Sequence, residues 1–202
     1  MDVYFYVGKQ DKDRILECGL KLSEWASRKI FILGIRQDCI CTLLNPMDDM
    51  EKFNDDNYTP IKIKVNPKAT IIAEGIFYDE DIYNKDMRKL YNDSVTAFDK
   101  YVFGTYRRPE CLLTGTVDNK FIDEMDVNID VPVLYSSSEE LYIEKQMELG
   151  KEFYSSFEEK LLYRYYKHLS ELNLYKTYSS LESDFVIFER EDAKHIVSLK
   201  KI

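Results

Sequence analysis

The chain has 202 residues, 45% of them hydrophobic and 14% aromatic, with a formal net charge of −9. That much apolar material supports a packed core and excludes global disorder, while the negative charge argues against a general electrostatic grip on nucleic acid or anionic lipid. No apolar run approaches the ~18 residues of a membrane span, and Met1-Asp2-Val3-Tyr4-Phe5 lacks a signal peptide's basic start, so a cytoplasmic protein with reduced cysteines is expected.

Val3 to Val7 is rich in β-branched and aromatic residues and predicts a first strand. Asp11 is placed to cap a short helix through about Glu17, and Gly19 fits a left-handed position after it, with Leu20 tucked back. Ser23 to Lys29 reads as a second short helix anchored by Trp25. Asp38 to Leu44 predicts a strand ended by Asn45-Pro46. The acidic stretch to Thr59 reads as a solvated loop or short helical turn, without the glycine and alternation of a calcium loop. Pro60 to Val65 alternates as a half-exposed strand, and Ala69 to Ala73 is fully apolar; the turn Asn66-Pro67 suggests that these two pair as a hairpin. Asp79 to Val102 carries Ile82, Met87, Leu90, Tyr91, Val95, Phe98 and Val102 near helical spacing, which predicts one or two helices.

Farther along, Val117 to Glu124 reads as a short helix or turn and Val131 to Tyr135 as a strand. Ser136 with Glu139 and Ser137 with Glu140 form overlapping capping boxes. A long helix to about Leu172 should follow, with Leu149, Phe153, Phe157, Leu161, Tyr165 and Leu169 as a core-facing stripe. Asp184 to Phe188 and Ile196 to Leu199 are closing strands. The order predicts an α+β fold: a mixed, mainly antiparallel sheet with flanking helices. We expect a single domain, with residues 1–135 as the sheet region and 136–202 as the long helix and closing strands.

Chemistry-bearing motifs are sparse. The glycines are too dispersed for a phosphate loop, and G-x-S-x-G and H-E-x-x-H are missing from the sequence. Cys18, Cys39, Cys41 and Cys111 lack zinc spacing and read as small core residues, so no metal is expected. Tyr163, Tyr165 and Tyr166 with Arg164 and Lys167 have the composition of a nucleic-acid surface, but on a helix they point in several directions and read better as packing. The most informative stretch is Arg107-Arg108-Pro109-Glu110-Cys111-Leu112-Leu113-Thr114-Gly115. Pro109 favours an extended start and Cys111 to Leu113 a buried strand. Glu110 is then either an ion-pair partner of Arg107 or Arg108 or a carboxylate aimed into a cleft. Arg36, beside Gly34-Ile35, is either an anion contact or an ordinary surface arginine.

Four landmarks together resemble the ADP-ribosyltransferase superfamily. They are Val3 to Lys9 with Ile15-Leu16-Glu17-Cys18-Gly19-Leu20, Cys39 to Pro46 with Asp48-Asp49, Pro60 to Gly75, and Pro109 to Gly115 with Phe121-Ile122. The resemblance covers about residues 3 to 125. It implies an ADP-ribosyltransferase-like fold, NAD as the co-substrate, and a protein or nucleic-acid acceptor. It gives Glu110 the catalytic role: accepting a ribose hydroxyl and stabilising positive charge as nicotinamide leaves. Where the family's first strand carries a His or Arg, this chain has Tyr4, Phe5 and Tyr6, so Tyr6 and Arg36 are the NAD contacts expected here. The alternative is a catalytically inactive binding or interaction protein of the same or an unrelated α+β fold.

Overall fold

The computed structural model describes residues 1–32, 34–80, 86–125, 137–190, 192 and 195–201. The chain divides into two compact units, Met1–Lys145 and Gln146–Ile202.

The first unit is built on an antiparallel sheet. Its strands are β1 (Asp2–Gly8), β2 (Arg28–Ile32), β3 (Ile35–Leu43), β4 (Tyr58–Lys64), β5 (Ile71–Glu74), β6 (Thr96–Ala97), β7 (Pro109–Leu113) and β8 (Ile122–Glu124). They run in the order β6-β5-β7-β3-β1-β4-β8, with β2 paired to β3. Helices α1 (Lys12–Cys18), α2 (Leu22–Trp25), α3 (Met50–Phe53), α4 (Gly75–Glu80) and α5 (Asp86–Ser94) flank it. The fold is therefore α+β with a mainly antiparallel sheet.

Because side chains alternate along a strand and directly paired residues share a face, the register sorts the sheet into two sides. Val3, Val7, Ile40, Ile61, Ile63, Ile72, Cys111 and Ile122 fill one, where Ile15 of α1 and the buried Leu20 close over them. Gly19 precedes Leu20 at φ +77°, as its sequence position suggests. A side chain there would run into the Val117 carbonyl, which pairs with the Leu20 amide. On the other side, Leu43 and Ala73 both stand opposite Glu110, and Leu112 stands opposite Cys41.

The sheet has a seam. β1 joins β4 from Asp2↔Lys64 to Gly8↔Tyr58, yet its register with β3 is a single pair, Tyr4↔Leu43. Two half-sheets therefore meet at one point, and beside it their strands leave room for a cleft.

The second unit holds α7 (Phe157–Glu171) and a three-stranded antiparallel sheet of β9 (Lys176–Ser179), β10 (Phe185–Arg190) and β11 (His195–Lys200), in the order β11-β10-β9. Val186 and Phe188 of β10 are buried, and the rings of Tyr163 and Tyr166 on α7 pack on Phe188 at 6.1 and 5.7 Å between centroids. The division between the units falls within α6 (Ser138–Phe153).

Several elements depart from the sequence reading. Residues 60–65 and 69–73 do not form a hairpin: β4 lies between β1 and β8, and β5 lies between β6 and β7. Both stretches have strand character, but a local turn signal does not choose partners across the sheet. The second helix stops at Trp25, and Arg28 and Lys29 belong to β2. The long C-terminal helix is two helices, interrupted at Tyr154, Ser155 and Ser156, where the two serines favour local turns over a helix interior. Its expected apolar stripe is not a core: Leu149, Phe153, Leu161 and Tyr165 are exposed. Asp11 does not bond the α1 backbone through its side chain and pairs instead with Arg14. Cys39 and Cys111 are buried as expected, whereas Cys18 is exposed. The expected strand at 131–135 lies outside the described residues.

Candidate functional site

Glu110 stands second in β7, a strand whose five residues are all buried. At 3% exposure it is one of few charged groups in the interior. Burying a carboxylate is costly without partners, and the partner here is not Arg107 or Arg108. It is Arg28, whose side chain comes from β2: Nε donates to Oε2 at 2.9 Å and Nη2 to Oε1 at 2.6 Å. The Tyr91 hydroxyl on α5 adds a longer bond to Oε2 at 3.3 Å. Burial, then the charge of Glu110, pushes the Tyr91 hydroxyl and the Cys41 thiol well above their ordinary values, so both stay protonated.

The carboxylate rests against bare backbone. An added Cβ at Gly75 would come within 2.6 Å of the Glu110 Cδ and Oε1 atoms. Glycine at this β5–α4 junction leaves the room that the acid occupies, and a Cβ there would force the acid or the backbone to shift.

Arg107 and Arg108 do other work. Their backbone amides donate to the buried carboxylate of Glu74, at 2.6 and 2.9 Å. The Arg107 side chain reaches Glu139 on α6, with Nε to Oε1 at 2.7 Å, and that of Arg108 pairs with Asp79. Glu74 thus fixes the chain as it enters β7.

Glu110, Arg28, Cys41, Asp79 and Arg108 line a cavity of about 780 Å³ at the seam of the sheet. β1 contributes Tyr4 and Tyr6, β3 contributes Cys41 and Leu43, and β7 contributes Glu110. Trp25 and Arg28 stand on one side, and Asp48, Asp49 and Lys52 on another. The segment from 46 to 53 is fastened to the sheet by Tyr6, whose hydroxyl donates to the Pro46 carbonyl at 2.8 Å. Asp48 anchors the same segment to α6 by accepting from the Ser138 amide at 2.7 Å and the Ser138 hydroxyl at 2.8 Å.

Of the three residues singled out from sequence, the structure brings Glu110 and Tyr6 into one cavity. Arg36 is not among the cavity's residues. It stands on β3 opposite Phe31, exposed, 3.9 Å from Asp38. Sequence reasoning missed Arg28, Tyr78, Tyr91 and Gly75. For Arg28 a signal existed: once Arg28-Lys29-Ile30-Phe31-Ile32 is read as a strand, Arg28 shares a face with the buried Ile30. Among the described residues no group of three or more His, Cys, Asp or Glu side chains is arranged to hold a metal ion, and no helix is long and apolar enough to cross a membrane.

Comparisons of the chain with family models, with curated proteins and with solved structures return no match.

Proposed function

We propose that this protein is an ADP-ribosyltransferase acting from the seam cavity, with Glu110 as its catalytic carboxylate and a protein or nucleic acid as acceptor. The observation that carries the reading is an ionisable side chain at 3% exposure, held on a rigid central strand at the wall of a ligand-sized cavity. The residues fit NAD in kind. Tyr4 and Trp25 offer aromatic surface to a pyridine or purine ring. Arg108 and Lys52 are partly exposed cations whose partners, Asp79 and Asp49, can exchange for phosphate oxygens. Tyr6 donates to Pro46 and keeps acceptor capacity on its oxygen for a sugar hydroxyl.

NAD supplies the ADP-ribosyl group and the nicotinamide leaving group. Glu110 accepts a sugar hydroxyl and sets a fixed negative charge beside the carbon from which nicotinamide departs, a service that needs a preorganised and poorly solvated carboxylate. Four free thiols suit a reducing compartment, and we assign the reaction to the cytoplasm on that ground.

A second reading has its own support. Both Glu110 oxygens already accept bonds from Arg28, as they would in a silent binding module in which the pair serves the fold. Calorimetry with NAD on wild type and Glu110→Gln, with nicotinamide release followed in the same samples, separates the two. The transferase reading expects binding, and release that falls at least a hundredfold in the variant. Binding without release in wild type would favour the silent module; no binding at millimolar NAD would retire the co-substrate.

A further inference from the structure

We infer that Arg28 is the positioning residue of Glu110: its planar fork fixes the carboxylate's orientation on the cavity wall, and Tyr78 fixes the fork. The kinetic part of this inference rests on the transferase reading; the structural part does not.

The argument begins with geometry. A carboxylate has about four acceptor positions. Arg28 takes one on each oxygen through two near-parallel bonds, an arrangement that sets both the place and the plane of the group. Gly75 lies against Oε1 and Tyr91 approaches Oε2, which leaves few directions for a further donor. Glu110 lines the cavity, so a donor from a bound ligand arrives there.

The guanidinium is itself held. Its Cζ lies 4.2 Å above the Tyr78 ring on α4, and Tyr78 meets the Tyr91 ring edge-on at 5.0 Å. Nη1 donates to the Ser27 carbonyl at 3.5 Å, and Nη2 lies 3.6 Å from Asp79 Oδ1. A residue serving charge balance alone would not need a stacked face and a paired edge together. Arginine supplies both; lysine supplies a point charge with neither. The groups that face Glu110 are Arg28 from β2, Cys41 from β3 and Tyr91 from α5, with Asp79 of α4 and its partner Arg108 behind the guanidinium. Burial alone would lower the Arg28 pKa, but the bonds to Glu110 outweigh it and raise the value, so the fork stays charged.

Two readouts test this on the whole chain: isotope-edited infrared spectra of the Glu110 carboxyl, assigned by Glu110→Gln, and nicotinamide release with kcat and KM separated. In Arg28→Gln the Glu110 carboxylate band should shift and broaden, since both oxygens lose the bonds that set the group's place and plane. Arg28→Lys should keep the carboxylate band and NAD affinity within threefold, yet lose at least tenfold in kcat. Tyr78→Leu, which leaves the ion pair untouched, should lose about threefold. An unchanged carboxylate band in Arg28→Gln, or wild-type kcat in Arg28→Lys, would overturn the inference. If Arg28→Gln does not fold, Arg28→Lys and Tyr78→Leu carry the test. If wild type releases no nicotinamide, the transferase reading fails, and the Glu110 band of Arg28→Gln against wild type still decides whether Arg28 holds the carboxylate: a changed band supports the inference and an unchanged one overturns it.

Discussion

The two sides of the first unit's sheet are made by the same strands and obey opposite rules. On the side closed by α1, Val3, Val7, Ile40, Ile61, Ile63 and Ile72 pack as apolar surface without polar demands. On the seam side, one residue along each strand, stand Tyr4, Tyr6, Cys41 and Glu110, and hydrogen bonds set the positions of Tyr6 and Glu110. Burial on the first side is non-directional and tolerates small shifts. On the second, every polar group needs its partner, so small shifts are costly. The second side also has apolar packing, where Ile30, Cys39, Ala73, Tyr91 and Leu112 cluster, but it sets the polar groups of the cavity beside that packing. β7 joins the two sides, with Cys111 and Leu113 facing the core and Glu110 and Leu112 the seam.

The largest expected break comes on the seam side. Arg28→Leu strands a buried carboxylate and should cost about 3–5 kcal/mol. Glu110→Leu strands a guanidinium at 19% side-chain exposure and should cost somewhat less. The double variant should be more stable than the sum of the single losses implies, because neither charge is then left buried without its counter-charge, although the Tyr91 hydroxyl loses its acceptor. Urea unfolding of the four proteins closes the cycle; additive losses would show that the pair does not act as a unit.

On the core side the expected pattern is different. Ile61→Ala should cost about 2–5 kcal/mol through lost burial and a residual cavity, yet the infrared signature of Glu110 should stay as in wild type. A change in that signature would mean that the two sides are not separable in the way their packing suggests.

The fold was more legible in the sequence than the site, and the two sides explain why. Alternation along Ile61, Ile63 and Val65 and the apolar run at residues 69–73 announce strands, because burial of one face is written in residue type. Pairing is not written locally, so β4 and β5 looked like neighbours when they belong to different half-sheets. Glu110 stood out because a carboxylate inside an apolar strand contradicts its surroundings. Arg28 did not: its role depends on a contact 82 residues away in sequence, and Trp25-Ala26-Ser27-Arg28 looks like an ordinary helix end. Arg36 drew attention by its place beside a glycine turn, yet the hairpin carries it away from the cavity's lining.

Gly75→Ala sits between the two extremes. The new methyl would contact Glu110 Cδ and Oε1 at 2.6 Å and Cγ at 2.7 Å, and the fork of Arg28 leaves the acid little room to yield. Overpacking of this kind costs about 1–3 kcal/mol. The disturbance should fall on the seam side, seen as a shifted Glu110 carboxylate band, with backbone amide shifts of Ile40, Ile61 and Ile63 unmoved. A spectrum unchanged at Glu110 would show that the backbone moves instead and that the acid's seat is soft.

The smallest effect expected is at Asp48, where pH sharpens the contrast. Its carboxyl is raised above the ordinary value of 3.8 by burial, against the lowering pull of its bonds from Ser138 and Asn45. A carboxyl with a raised folded value favours the folded state when protonated. Its contribution is therefore present below about 3.8 and is lost as pH rises through the raised value. Above that value the buried charge is a cost, so Asp48→Asn, which has no charge to bury here but turns an N–H toward the Asn45 amide that Oδ2 accepts from, should gain on wild type as pH rises toward neutrality. The advantage should shrink as pH falls toward 3.8, where wild type gains its proton. Urea midpoints of both proteins across that range decide it: a gap that stays constant with pH would assign the stabilisation to packing and leave the seam without a titrating anchor.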